Sequence, residues 1–189
     1  RVIAITGTNG KTTTTTLTGE IMKAHFGKDK TFVVGNIGNP YTLEADKTSK
    51  DSVTVGEISS FQLETIHTFH PVVSAILNIT PDHLNRHHTM EAYVAAKEAV
   101  ASQQTKADIC VLNYDNDYTR DFAGRCPATP VLFSSHHELE NGYFLRGDKI
   151  IKSVNGEEHE LMDIHKDMNL VGLCNVENVM AAIAIAEGM

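Results

Sequence analysis

At 189 residues with 41% apolar content, the chain is sized for one α/β domain, or one with a small appendage. A net charge of −8 repels nucleic acid and anionic membranes, and no apolar run approaches the ~18 residues of a membrane span, so neither is an expected partner. The three cysteines, Cys110, Cys126 and Cys174, are odd in number and widely spaced; with no secretory signal in view they fit a reducing, cytoplasmic setting rather than a disulfide framework or zinc ribbon.

Short apolar runs alternate with helix-like segments. Residues 2–6 read as a strand, and 12–26 as a helix with Leu17, Ile21 and Met22 inward. Residues 31–35 form a strand that leads into the loop G-N-I-G-N-P at 35–40. A strand at 53–58, a short helix at 61–67 and a strand at 72–79 follow. Thr80-Pro81-Asp82 reads as a helix start, with Thr as N-cap and Pro in the first position. Residues 90–102 form a helix with Tyr93, Ala96 and Val100 on one stripe, and 109–113 and 131–134 are two more strands. This rhythm predicts an α/β, P-loop-type, mostly parallel sheet with helices on both faces. The segment 142–162 breaks it: three strand-like runs separated by Arg-Gly-Asp and Asn-Gly-Glu turns predict a small antiparallel β meander at the domain edge. A final Ala-rich helix occupies 175–187.

The richest stretch is I-A-I-T-G-T-N-G-K-T-T at 3–13. An apolar strand enters a tight turn at Gly7 and Gly10, where glycine lets amide groups approach a phosphate. The helix that follows points its positive end at the same anion. Gly7, Thr8, Asn9, Gly10, Lys11, Thr12 and Thr13 are the expected nucleotide-binding set; Lys11 serves the terminal phosphates and Thr12 a bound Mg²⁺. Ile5 stands where the general P-loop pattern has its first glycine, so only the tighter G-x-x-G-K-T remains.

Ligands of an open parallel sheet bind beyond the carboxyl ends of its strands. Two more polar clusters fall at such ends. Glu57, in E-I-S-S-F-Q, is placed to hold Mg²⁺; His83, in N-I-T-P-D-H, could ligate a metal or contact phosphate. His83 and His87 stand four apart, which on a helix puts them on one face. Leu84 replaces the glutamate of H-E-x-x-H, so a zinc hydrolase is disfavoured and His87 and His88 read as surface or supporting residues. From the residues alone, Lys97 is an exposed helix lysine.

Taken together, T-G-T-N-G-K-T (6–12), G-N-I-G-x-P (35–40), E-I-S-S-F-Q-L-E (57–64), L-N-I-T-P-D-H-L-x-R-H (77–87) and Y-x-A-A-K (93–97) resemble the Mur ligases. These are the ATP-dependent amide ligases of bacterial peptidoglycan precursor synthesis. The S-S-F-Q-L and G-N-I-G strings are most similar to the branch that adds D-glutamate. The family's enzymes have three domains, and residues 1–189 resemble the central ATP-binding one; the abrupt start and stop agree with a fragment lacking the UDP-binding and amino-acid-binding domains.

The resemblance implies roles residue by residue. Lys11 contacts the β- and γ-phosphates, and Thr12 and Glu57 serve one Mg²⁺. His83 binds a second Mg²⁺, which a CO₂-derived carbamate on Lys97 orients. Lys11, Glu57, His83 and Lys97 are thus the expected catalytic set. Asn36, Ser59 and Gln62 face the muramoyl-alanine end of the substrate, and Asn175 and Asn178 the nucleotide. Asn85 and Cys174 depart from the family pattern, where Asp and His are usual. The implied substrates are ATP, UDP-N-acetylmuramoyl-L-alanine and D-glutamate; a monomer is expected, and ligation by the fragment alone is not. The alternatives are a sister ligase adding another amino acid, a folylpolyglutamate-synthase-like ligase, and a non-catalytic P-loop module that binds ATP as a switch.

Overall fold

The computed structural model describes all residues from Arg1 to Met189. Strand β1 (Val2–Thr6) runs into helix α1 (Lys11–Phe26), then β2 (Thr31–Gly35) and the short helix α2 (Tyr41–Glu44). Next come β3 (Val53–Glu57), α3 (Ser60–Leu63), β4 (Val73–Ile76), α4 (Leu84–His87) and α5 (Met90–Glu98). Strand β5 (Ile109–Asn113), α6 (Asp117–Ala123) and β6 (Thr129–Ser134) complete the alternating part. Strands β7 (Gly142–Arg146), β8 (Lys149–Val154) and β9 (Glu157–Asp163) precede α7 (Leu173–Glu187).

All nine strands form one sheet in the order β2-β3-β1-β4-β5-β6-β7-β8-β9. Pairing is parallel from β2 through β7 and antiparallel across β7, β8 and β9. The expected meander is therefore present, and its first strand continues the main sheet. Alternation along each strand divides the core in two. Ile3, Ile5, Val53, Val55 and Val73 face α1 and α7. Ala4, Ile76, Cys110 and Leu112 face α5 and α6, against Tyr93, Val100 and Phe122. Helices thus cover both faces. Strand β1 lies between β3 and β4, where the connection changes direction, and its carboxyl end opens the crevice that such sheets use for ligands.

Several expectations need correction. In α1 the inward face is Thr14, Thr15, Thr18, Gly19 and Met22, while Ile21 is exposed. The threonines are small enough for α1 to lie close on the sheet, and the hydroxyls of Thr15 and Thr18 have no hydrogen-bond partner. Helix α5 gives way to a 3-10 turn at Ala99–Ala101, and its buried stripe is Tyr93, Lys97 and Val100, with Ala96 half-buried. No helix starts at Thr80. That residue is pinned to the loop after β1: its N–H donates to Thr8 Oγ1 (3.0 Å), and Thr8 Oγ1 donates to its carbonyl (3.2 Å). Helix α4 begins four residues later, behind His83 in the left-handed region at φ 52°. Helix α6 was not expected; Asn116 caps it by accepting from the Thr119 N–H.

Candidate active site

The turn after β1 is shaped by glycine at Gly10, which adopts φ 83°. A Cβ there would lie 2.2 Å from Asn178 Oδ1, so neither the conformation nor the space admits a side chain. The segment after β4 braces the turn from the other side. Asn78 accepts from the Thr8 N–H through its carbonyl (2.9 Å) and from the Asn9 N–H through Oδ1 (2.8 Å), and its Nδ2 donates to the Asn9 carbonyl (3.1 Å). Tyr93 adds a hydroxyl contact to Thr8 at 3.1 Å. With Thr8 and Asn9 so engaged, the amides left for an anion are those opening α1. That helix has no side-chain cap and no acid in its first turn, so its positive end is uncompensated.

Two lysines converge on one carbonyl. Lys11 Nζ donates to Gly7 O (3.0 Å) and Thr8 O (2.9 Å), and Lys97 Nζ donates to Gly7 O (2.8 Å). Lys97 is only 2% exposed, which overturns the reading of an exposed helix lysine. Its ammonium also sits 4.7 Å from the centre of the Tyr93 ring. Burial first, and the Lys11 charge second, pull the Lys97 pKa down to about 7, against the opposing pull of Asp82. Burial lowers the Lys11 pKa as well, opposed by Glu57 and Asp82.

Glu57 ends β3, 2% exposed. Its Oε2 accepts from Thr12 Oγ1 (2.9 Å) and its Oε1 from Asn36 Nδ2 (2.9 Å). Gly35 makes this possible: at φ 101° it lies so close to β3 that a Cβ would fall 2.2 Å from the Glu57 carbonyl. Thr12 and Glu57 offer oxygen donors only, the set that a hard cation such as Mg²⁺ takes. The expected metal pair is thus adjacent, and Asn36 belongs to the same hydrogen-bonded chain.

Ser59 and Gln62 form a capping box on α3. Ser59 Oγ accepts from the Gln62 N–H (3.3 Å), and the Ser59 N–H donates to Gln62 Oε1 (2.9 Å). Asn178 is buried beneath Gly10, accepting from Thr14 Oγ1 (3.2 Å), and its Nδ2 donates to Asn175 Oδ1 (3.3 Å); Asn175 Nδ2 donates to Val171 O (2.8 Å).

His83 is half-exposed, 3.5 Å from Asp82 Oδ2, and its ring lies 6.4 Å from Tyr93. The Tyr93 ring therefore touches both Lys97 and His83. His87 is not a surface residue: its ring is buried, with Nε2 3.0 Å from Ser60 Oγ and Nδ1 3.2 Å from Glu64 Oε1, and it stacks on Phe61. The polar partners of His83 and His87 differ, while both rings pack on Phe61 and Tyr93. Sequence reasoning undervalued Asn78, Asp82 and Tyr93. Asp82 was legible as the acid beside His83; the reach of Tyr93 to Thr8 depends on tertiary packing.

Residues 5–186 match the Mur ligase middle domain. The chain is 58% identical to the UDP-N-acetylmuramoylalanine--D-glutamate ligase of Lachnospira eligens, over 99% of this chain and 41% of that protein. It is 50% identical to the enzyme of the same name from Clostridioides difficile, over 97% of this chain and 40% of that protein. The chain therefore spans about two fifths of the length of these curated relatives. Among solved structures, a UDP-N-acetylmuramoyl-L-alanyl-D-glutamate--2,6-diaminopimelate ligase superposes with TM-score 0.76 at 25% identity, covering 99% of this chain and 43% of that one. No helix is long and apolar enough to cross a membrane. On fold, motif order and relatives alike, the chain belongs to the Mur ligase family and carries its middle domain.

Proposed function

We propose that this chain is the ATP-binding middle domain of a ligase that joins D-glutamate to UDP-N-acetylmuramoyl-L-alanine in peptidoglycan precursor synthesis. The observation that carries the reading is the convergence at the end of β1: Lys11 and Lys97 on the Gly7 carbonyl, beside the Thr12–Glu57 pair. High identity to two D-glutamate ligases supports this branch over a sister ligase or a folylpolyglutamate-synthase-like enzyme. The convergence of charged groups on one phosphate position supports catalysis over a passive ATP switch.

The substrate's alanyl carboxylate attacks the γ-phosphorus of ATP, and ADP leaves. The amine of D-glutamate then attacks the acyl phosphate, phosphate departs and an amide remains. Lys11 exchanges its contacts with the Gly7 and Thr8 carbonyls for the terminal phosphate oxygens, and the first-turn amides of α1 hold the same phosphates. Thr12 and Glu57 would hold one Mg²⁺, and Asp82 and His83 would serve a second. Bound there, Mg²⁺ supplies positive charge to the transferring phosphoryl group. With a pKa of about 7, Lys97 keeps a neutral fraction able to add CO₂ and lose a proton, turning a buried cation into a carbamate beside Asp82. Asn36, Ser59 and Gln62 would face the muramoyl-alanine group. No covalent enzyme intermediate is needed; position and charge carry the rate.

A chimera tests this directly. This chain, grafted in place of the matching segment of the Lachnospira eligens ligase, is expected to form the D-glutamyl amide with stoichiometric ADP release. A folded chimera that consumes no ATP with both substrates present would overturn the proposal.

A further inference from the structure

Of the ten histidines only His87 is buried, and the proposed chemistry does not use it. Its ring, at the end of α4, holds the one-turn helix α3 at both ends. Nε2 lies 3.0 Å from the hydroxyl of Ser60, the first residue of α3, and Nδ1 lies 3.2 Å from Oε1 of Glu64, the residue that closes it. The Glu64 carboxylate favours the ring proton on Nδ1, so Nε2 accepts from the Ser60 hydroxyl. Arg86 donates to the other Glu64 oxygen at 2.9 Å. The ring also packs on Phe61 of α3 (5.6 Å between centres) and on Tyr93 of α5 (5.1 Å). A four-residue helix has too few hydrogen bonds of its own to fix its orientation. Leu63 anchors α3 in the α5–α6 core by one apolar side chain, and the His87 contacts at either end stop the helix turning about that anchor. Ser59 and Gln62, the capping-box pair that would meet the muramoyl-alanine group, ride on this helix. A phenylalanine would supply the aromatic packing; the two polar edges of the ring are what histidine adds.

We propose that His87 is a positioning residue for the acceptor substrate: it sets the rotation of α3 and thereby the aim of Ser59 and Gln62. On the D-glutamate ligase reading, on which this rests, its effect falls on UDP-N-acetylmuramoyl-L-alanine and not on ATP. The phosphate side hangs on other contacts: the Thr8 N–H on the Asn78 carbonyl, Lys11 and Lys97 on the Gly7 carbonyl, and Thr12 on Glu57. A phenylalanine at position 87 keeps a ring against Tyr93, so those contacts stay in place. A misaimed Ser59 and Gln62 weaken acceptor binding by the worth of one hydrogen bond, about tenfold.

The test places His87→Phe and Ser60→Ala, singly and together, in the chimera with the Lachnospira eligens ligase and measures KM for each substrate. His87→Phe is expected to raise KM for UDP-N-acetylmuramoyl-L-alanine about tenfold and to leave KM for ATP within about twofold. Ser60→Ala, which removes only the hydroxyl that Nε2 accepts from, should shift the acceptor KM in the same direction. The double variant should shift it no further than His87→Phe alone. A histidine that merely fills the core would change the melting temperature and leave the ratio of the two KM values where it was. An active chimera whose acceptor KM moves less than about twofold in both variants, or whose two KM values rise together, would overturn the proposal. So would effects that add in the double variant. If His87→Phe does not fold, Ser60→Ala alone makes the same comparison of the two KM values. An unsubstituted chimera that forms no amide sinks the ligase reading itself, and this proposal with it.

Discussion

The two ends of the sheet treat charge in opposite ways. In the meander β7–β9, Arg146 and Lys149 are accessible and are paired on the spot with acids. Arg146 reaches both Glu138 and Glu158 at 2.6 Å, and Lys149 reaches Glu160 at 2.7 Å and Asp163 at 3.0 Å. In the parallel half, polar groups are buried and incompletely matched. Lys97 and Glu57 are each 2% exposed with no counter-ion of opposite sign in hydrogen-bond contact, and the hydroxyls of Thr6, Thr15 and Thr18 have no partner. Exposed ion pairs contribute little to stability, whereas a buried charge without a partner costs it. The parallel half therefore holds destabilising groups, and three of them, Thr6, Glu57 and Lys97, lie at the end of β1. That is the mark of a site kept for chemistry rather than for stability.

Substitutions can break or sharpen this contrast. Gly10→Ala has the largest expected effect: the new Cβ meets Asn178 Oδ1 at 2.2 Å in a φ of 83°, and unfolding free energy should fall by about 2–4 kcal/mol in urea denaturation. Lys97→Met should act the other way, raising stability by about 1–3 kcal/mol at pH 7 in bicarbonate-free buffer, because it removes a buried charge while Lys11 still serves the Gly7 carbonyl. The pH dependence fixes the cause. The folded Lys97 loses its proton near pH 7 and the unfolded one at the ordinary value of 10.5. Between these values the unfolded chain binds the extra proton, so wild-type stability rises with pH across that window. The advantage of Met should be full below pH 7 and fade toward 10.5; a gain that stays constant would contradict the account. Ser59→Ala removes the α3 capping box and should cost about 1 kcal/mol. Arg146→Ala, in the meander, should leave the melting temperature the least changed of the four, with no difference from wild type at high salt.

Most strands were legible because they are short apolar runs ending at glycine or a polar cluster, and β1, β2 and β5 have the expected bounds. The phosphate cradle was legible for the same reason: its logic lies in contiguous residues. Long-range decisions were not legible. Thr80 carries every local mark of a helix start, yet Thr8, distant in sequence, holds it out of the helix. Lys97 reads as exposed because nothing local says that α5 presses it toward Gly7. Ile21 and the α1 threonines invert the usual apolar stripe, since a helix seated tightly on the sheet favours small inward residues. Lys97 and Glu64 show the two ways such residues surface: the first through family resemblance, the second only through the buried ring of His87.

The central claim is that the end of β1 holds the phosphates of ATP. Titration calorimetry of MgATP into the chain, with and without Lys11→Ala, tests it most directly. One nucleotide should bind to the wild-type chain, and the variant should show no measurable binding while keeping its fold. Equal affinity in the two proteins, or no binding by the folded wild type at millimolar MgATP, would contradict it.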